Sequence, residues 1–96
     1  MSNFELEDKG EGRFALKGDM SFETANFILR ASQPVFGRHA SLQVDMSGVD
    51  KADSAGLALL LEWKAQAAAR GASISYTEIP DSLTAIARTS EVSDLL

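Results

Sequence analysis

The chain has no cysteine, and its 96 residues include one histidine, one tryptophan, one tyrosine and two prolines. Without thiols there is no disulfide framework and no thiolate nucleophile, and a reducing compartment is permitted. The single histidine, His39, sits in the loop Gly37-Arg38-His39-Ala40 with no cysteine to activate. It reads as a solvated side chain rather than an acid–base group. Positive charge is also scarce. Nine Lys and Arg stand against fourteen Asp and Glu, a net charge of −5. Nucleic acid and anionic lipid surfaces are thereby excluded as direct partners, because phosphate neutralisation needs clustered cations. No apolar run approaches the roughly 20 residues of a membrane span, so no direct membrane insertion is expected. Met1–Glu5 has neither a basic nor an apolar leader segment, so no signal peptide is expected. The expectation is one cytoplasmic domain over residues 1–96, with no linker or repeat.

The apolar fraction is 45%, enough for a modest core. Phe4–Glu7 and Arg13–Lys17 alternate apolar and polar, the pattern of two strands joined through Gly10 and Gly12. Gly18-Asp19-Met20 should break the second strand. Ser21 should cap a helix from Phe22 to about Ser32, with Phe22, Ala25, Leu29 and Ser32 inward and Phe27 outward. Pro34 should stop it. Ser41–Asp45 reads as the central strand, followed by an acidic loop. A long helix follows over about Ala55–Ala69, closed by Arg70 and Gly71. Its polar residues place Glu62, Gln66, Ala69 and Arg70 outward, and Leu57, Leu60, Leu61 and Ala68 in the core. Lys64 falls near the core side, so either its stem must snorkel or the helix phase is shifted. Leu59 falls in the polar arc and Trp63 on its flank, which leaves two readings: isolated apolar side chains with the tryptophan half-buried at the core edge, or an exposed apolar patch. Ser73–Thr77 is a strand, and Pro80 with Asp81 or Ser82 starts a last helix, Leu83–Thr89. Val92, Leu95 and Leu96 should make a final turn on the core. A strand–helix–strand unit has parallel strands, and the first two strands add an antiparallel hairpin. The predicted fold is α/β: a four-stranded mixed sheet with helices packed mainly on one face.

Chemistry concentrates at Asp53-Ser54-Ala55-Gly56. Asp53 or Ser54 can accept an N–H of the first helical turn, and Gly56 permits a close approach to it. Ser54 sits at the positive end of a helix, where added phosphate or a partner's acceptor is favoured. Three roles are open to Ser54: a cap alone, a phosphorylation switch, or an unmodified contact in an interface. Asp45, Asp50 and Asp53 are close in sequence but lack the alternating pattern and distal glutamate of a calcium loop. They read as loop and capping residues, with no metal. Gly10 and Gly12 precede a strand rather than a helix, so they make no phosphate loop and no cofactor is expected. No catalytic constellation is present, and the chain reads as a non-enzyme. Together with Ser54, Leu57 and Ala58, the pair Leu59 and Trp63 would form a patch with an aromatic anchor for a protein partner.

The run Val44-Asp45-Met46-Ser47-Gly48-Val49, followed after three residues by Asp53-Ser54-Ala55-Gly56-Leu57, resembles the signature of STAS domains, the fold of anti-sigma-factor antagonists. Gly56-Leu57-Ala58-Leu59-Leu60-Leu61 is most similar to the STAS subunits of Mla-type phospholipid ABC transporters. That resemblance implies a non-catalytic subunit which binds and supports the transporter's ATPase, and through it a membrane permease. The chain would then lie peripheral to the inner membrane and serve outer-membrane lipid asymmetry. It implies partner contacts at Asp53, Ser54, Ala55, Leu57, Ala58, Leu59 and Trp63. The alternative it implies is an anti-sigma-factor antagonist switched by a serine kinase at Ser54. Three departures bear on that alternative. Ser21 stands where antagonists usually carry an aspartate near the phosphorylated hydroxyl. Ala55 replaces a common second serine, and Lys51 replaces a bulky apolar residue.

Overall fold

The computed structural model describes residues 3–96. Met1 and Ser2, on which part of the leader reading rests, lie outside the described residues. The elements run β1 Phe4–Gly10, β2 Arg13–Met20, α1 Ala25–Phe36, β3 Ser41–Ala52, α2 Ser54–Ala69, β4 Ser73–Thr77 and α3 Asp81–Thr89, then a 3-10 turn at Ser93–Leu95. The sheet order is β1-β2-β3-β4. β1 and β2 are antiparallel, while β2–β3 and β3–β4 are parallel. The expected α/β architecture with a four-stranded mixed sheet is therefore present.

Cross-strand rows explain why one face is covered. Phe14 lies opposite Val44 and Val44 opposite Tyr76, with Leu42 opposite Ile74. These side chains form the inner face with Leu16 and Met46. The alternate rows carry Glu5 opposite Lys17, and Arg13 opposite Gln43 opposite Ser75. That second face is polar, as a period of two requires when only one side meets helices. Its Lys17–Glu7 pair, at 3.1 Å, is exposed and contributes little to stability.

Several boundaries differ from the sequence reading. β2 does not break at Gly18 but continues to Met20, because Gly18 adopts φ +89° and a register shift absorbs the turn. Extended β2 then offers a ladder to the segment read as an acidic loop. Lys17, Gly18, Asp19 and Met20 pair with Gly48, Val49, Lys51 and Ala52, so β3 runs to Ala52. Ser21 does not cap α1. The helix begins at Ala25 with Thr24 as its cap residue. The Thr24 hydroxyl accepts the Ser21 N–H (3.0 Å) and donates to the Asp19 carbonyl (2.9 Å), closing a tight turn. Phe22, displaced into that turn, points outward instead of inward. Pro34 does not stop α1, which ends two residues later at Phe36. Phe36 is buried against Phe14 (4.8 Å between ring centroids) and Trp63 (5.0 Å). Burying a phenylalanine stabilises by about 1.5–3 kcal/mol, comparable with the roughly 3 kcal/mol a helical proline costs. In the final turn, the packing wins.

The core is threaded by an aromatic row, Phe14–Phe36–Trp63–Tyr76. Its polar atoms are satisfied. Trp63 Nε1 donates to Ser32 Oγ (2.9 Å), and Ser32 in turn donates to the Leu29 carbonyl (2.7 Å). The Tyr76 hydroxyl donates to the Leu60 carbonyl (2.6 Å), and burial pushes its pKa up. Lys64 snorkels as expected. Its Nζ reaches the Ile74 carbonyl (2.7 Å) and lies 5.4 Å from the Tyr76 ring centroid. At the tail, Val92 and Leu96 pack on the core, whereas Leu95, expected there too, is exposed.

Ser32→Ala removes the acceptor of a fully buried indole N–H. An orphaned buried donor costs about 1–3 kcal/mol, so the urea midpoint, followed by Trp63 fluorescence, should fall accordingly. An unchanged midpoint would show that the Ser32–Trp63 bond does not stabilise the core.

Candidate docking site

At the start of α2, Asp53 and not Ser54 is the N-cap. Its Oδ1 accepts the Ala55 N–H (2.9 Å), and its backbone carbonyl accepts from Gly56 (3.0 Å). Its Oδ2 accepts the Phe22 N–H at 3.1 Å, from the turn between β2 and α1. One carboxylate thus joins the end of the sheet to the first turn of a helix. The Phe22 N–H foremost, with those of Ala55 and Gly56, holds the Asp53 carboxyl below the usual aspartate range. Gly56 is buried where α2 crosses β2, and a β-carbon there would lie 2.6 Å from the Met20 carbonyl oxygen. Only glycine allows this approach.

The result is a rigid platform from which Ser54 and Ala58 project outward, with Ala55 half-buried between them. Ser54 occupies the first helical position, at the positive end of the helix dipole.

The predicted apolar patch is not on the surface. Leu59 is 4% exposed and Trp63 2%, both inside the core, and Leu57 is buried as well. Conversely, Ala68 is exposed and Leu61 only half-buried. The helix phase was displaced because α2 is apolar on nearly every side and its outward residues are largely alanine. The few polar residues therefore marked the outward arc poorly. The actual outward stripe is Ser54, Ala58, Ala65 and Ala69, with Glu62 beside it. Gln66, placed outward by the sequence reading, is half-buried and turned toward α1, where its Oε1 accepts from Gln33 Nε2 (3.0 Å).

The exposed aromatic side chains are instead Phe22, 84% exposed, and Phe27 farther along α1 at 60%. Periodicity sets Phe27 outward, but nothing in the pattern around Phe22 signals a turn held by Thr24 and Asp53. Phe22 stands at one end of a groove of about 540 Å³ between α1 and α2. Ala25 and Leu29 form one wall, Ala55 and Ala58 the other, and Leu59 the floor.

Other candidates separate from this site. Asp45 lies on the polar face of the sheet, where Oδ1 accepts the Ser47 N–H (2.9 Å); that bond lowers its pKa. Asp50 is exposed on β3. Among the described residues, no group of three Asp, Glu, His or Cys side chains could hold a metal. His39, read as solvated, is half-buried with its ring centroid 6.0 Å from that of Phe14. Ser21 is buried, and its Oγ has no partner among the described residues; the same holds for Asp19 Oδ1. Position 21 thus carries a buried hydroxyl and no carboxylate.

The Asp53 bonds give stability a defined pH dependence. Its folded pKa lies below the unfolded value of about 3.9, so the stabilisation is fully present above that pH and is lost as pH falls through the folded pKa. The stability difference between the parent and Asp53→Asn should therefore shrink progressively below about pH 4. A constant difference in thermal unfolding from pH 7 to pH 3 would contradict this. Gly56→Ala provides a second check. Alanine gains about 1 kcal/mol of helix propensity, but the backbone clash cannot be relieved by a rotamer and costs about 1–3 kcal/mol. Net destabilisation is expected in denaturant unfolding.

A family model described as "Mlab, STAS domain" matches residues 5–96. No match was found among curated proteins. Among solved structures, the fold is similar to the unphosphorylated anti-sigma factor antagonist SpoIIAA, at TM-score 0.72 and 14% identity over 96% of this chain and 84% of that one. An anti-sigma factor antagonist from Mycobacterium paratuberculosis follows at 0.69 and 18%, covering 95% and 79%. A sulfate transporter family protein from Wolinella succinogenes gives 0.68 and 18%, covering 94% and 74%. At these identities the likeness concerns the fold.

Proposed function

The chain belongs to the STAS domain family, in its MlaB-like branch, and from that membership we propose that it is a non-catalytic subunit of an Mla-type phospholipid ABC transporter. It binds the ATPase subunit and supports its assembly and activity; the ATPase performs the chemistry. Through that subunit the chain meets a membrane permease at the inner membrane. No helix among the described residues is long and apolar enough to cross a membrane itself.

The observation that carries the reading is the exposed first turn of α2. Ser54 and Ala58 face outward on a platform fixed by Asp53 and Gly56, beside an apolar groove. Asp53 acts by shaping the platform, and Leu57, Leu59 and Trp63 by supporting it from below. Of the contacts first expected, Ser54, Ala55 and Ala58 remain available to touch a partner, and Phe22 joins them.

A second reading, phosphorylation of Ser54 by a serine kinase in an anti-sigma circuit, draws on the exposure of Ser54 at a helix N-terminus. A phosphate there meets the positive helix end. The neutral Ser21 in place of an aspartate weighs against it. A single phosphate on the intact protein from its own cell, mapped to Ser54, would favour it.

Ser54→Glu tests the docking surface. A carboxylate at the first helical position leaves stability unchanged or slightly raised, so any lost binding reports the interface. Binding to the purified ATPase subunit should weaken at least tenfold, with a melting temperature equal to or slightly above the parent's. Ser54→Ala should keep both, since Asp53 supplies the cap. Full binding by Ser54→Glu would overturn this placement. Trp63→Ala is unsuited to the purpose, because emptying a buried tryptophan site costs about 3–5 kcal/mol of stability.

A further inference from the structure

We propose that the groove between α1 and α2 receives two turns of an amphipathic helix from the ATPase subunit, its apolar side in the groove and a lysine or arginine at the Glu62 end. This rests on the docking reading above and names the element that docks.

The dimensions select the occupant. The α2 wall runs from Ala55 to Glu62, a span of about 10 Å at 1.5 Å rise per residue. That length matches two helical turns presenting apolar side chains at i, i+4 and i+7. Both walls are helices whose interior backbone groups are already bonded, so an extended segment finds no strand edge to pair with. The alanines of the α2 wall, Ala55 and Ala58, over the Leu59 floor leave room for large side chains, facing Ala25, Asn26 and Leu29 of α1. Phe22, exposed at the open end, adds an aromatic face for the incoming helix to cover.

Charge selects the flank. Glu62, the one charged residue lining the groove, is held by a hydrogen-bonded string: Gln33 donates to Gln66, and Gln66 Nε2 donates to Glu62 Oε2 (3.1 Å). This string orients the Glu62 carboxylate, which is exposed and in no ion pair among the described residues. Glu23, exposed beside Phe22, gives the near end the same sign. On a chain of net charge −5, these rims favour a basic helix and repel an acidic one.

The test places the photo-crosslinking residue p-benzoylphenylalanine singly at Phe22, Ser54 and Ala58 of the full chain in its own cell. Crosslinked peptides are then sequenced by mass spectrometry. The expected product from Phe22 and Ala58 is a peptide of the ATPase subunit with apolar residues at helical spacing and a flanking lysine or arginine. Glu62→Lys should then weaken the complex at least tenfold, and lysine-to-glutamate exchange in that peptide should restore it. Crosslinks from Ser54 alone would overturn the groove while leaving the docking reading intact. No crosslink from any position would remove both. A crosslink to a second copy of this chain, an acidic peptide, or a Glu62→Lys variant with full affinity would each overturn the basic-helix assignment.

Discussion

The Asp53 carboxylate accepts one hydrogen bond from Phe22, where β2 has just ended, and another from Ala55, in the first turn of α2. The two donors lie far apart in sequence, and neither has another protein partner among the hydrogen bonds of the described residues. The bond to Phe22 fixes the turn that aims Phe22 outward and starts α1 three residues later. The bond to Ala55 fixes the first turn of α2. The groove between the two helices, and the position of Ser54 beside it, follow from this one side chain. Gly56 completes the constraint by letting α2 sit against the Met20 carbonyl, so the helix cannot slide along β2 without a clash.

A buried polar contact does for the other end of the helix pair what Asp53 does for this one. Ser32 of α1 and Trp63 of α2 meet through a hydrogen bond in a fully buried setting. Apolar packing alone tolerates rotation of one helix about its axis, since leucine and alanine exchange places at small cost. An indole N–H that must find one hydroxyl does not. The register of α1 on α2, and hence which residues line the groove, is specified by that pair more than by the area buried around it.

How far the sequence could be read depended on the contrast between faces. β4 was legible to the residue because Ser73–Thr77 alternates cleanly, and the parallel pairing of β3 with β4 followed from the helix between them. The start of α2 and the exposure of Ser54 were legible because the motif marks the helix start independently of phase. Leu59 and Trp63 were misplaced because an apolar helix flanked by α1 and α3 buries more than half its circumference. The boundaries at Gly18, Ser21 and Pro34 were set by long-range partners, namely β3, Asp53 and the Phe14–Phe36–Trp63 stack. Local propensity carries none of these. Phe22 was missed for the same reason, since its exposure is decided by a carboxylate thirty-one residues away.

The alanines that obscured the helix phase have a physical consequence at the surface. Ala58, Ala65 and Ala69 form an outward stripe continuous with Ser54. Covering long polar side chains would cost about 1.5–2 kcal/mol each in lost rotamer freedom, whereas alanine loses none. A partner laid along this stripe therefore orders almost nothing on this side, and the platform beneath it is already fixed by Asp53, Gly56 and the Ser32–Trp63 pair. The affinity of such a surface is set by the few side chains that do project from it. Here those are Phe22, Ser54 and Glu62, one aromatic, one hydroxyl and one carboxylate within two turns of α2 and its neighbouring turn. All three are exposed and absent from the core cluster, so on the docking proposal a change at any of them would alter recognition without disturbing the core.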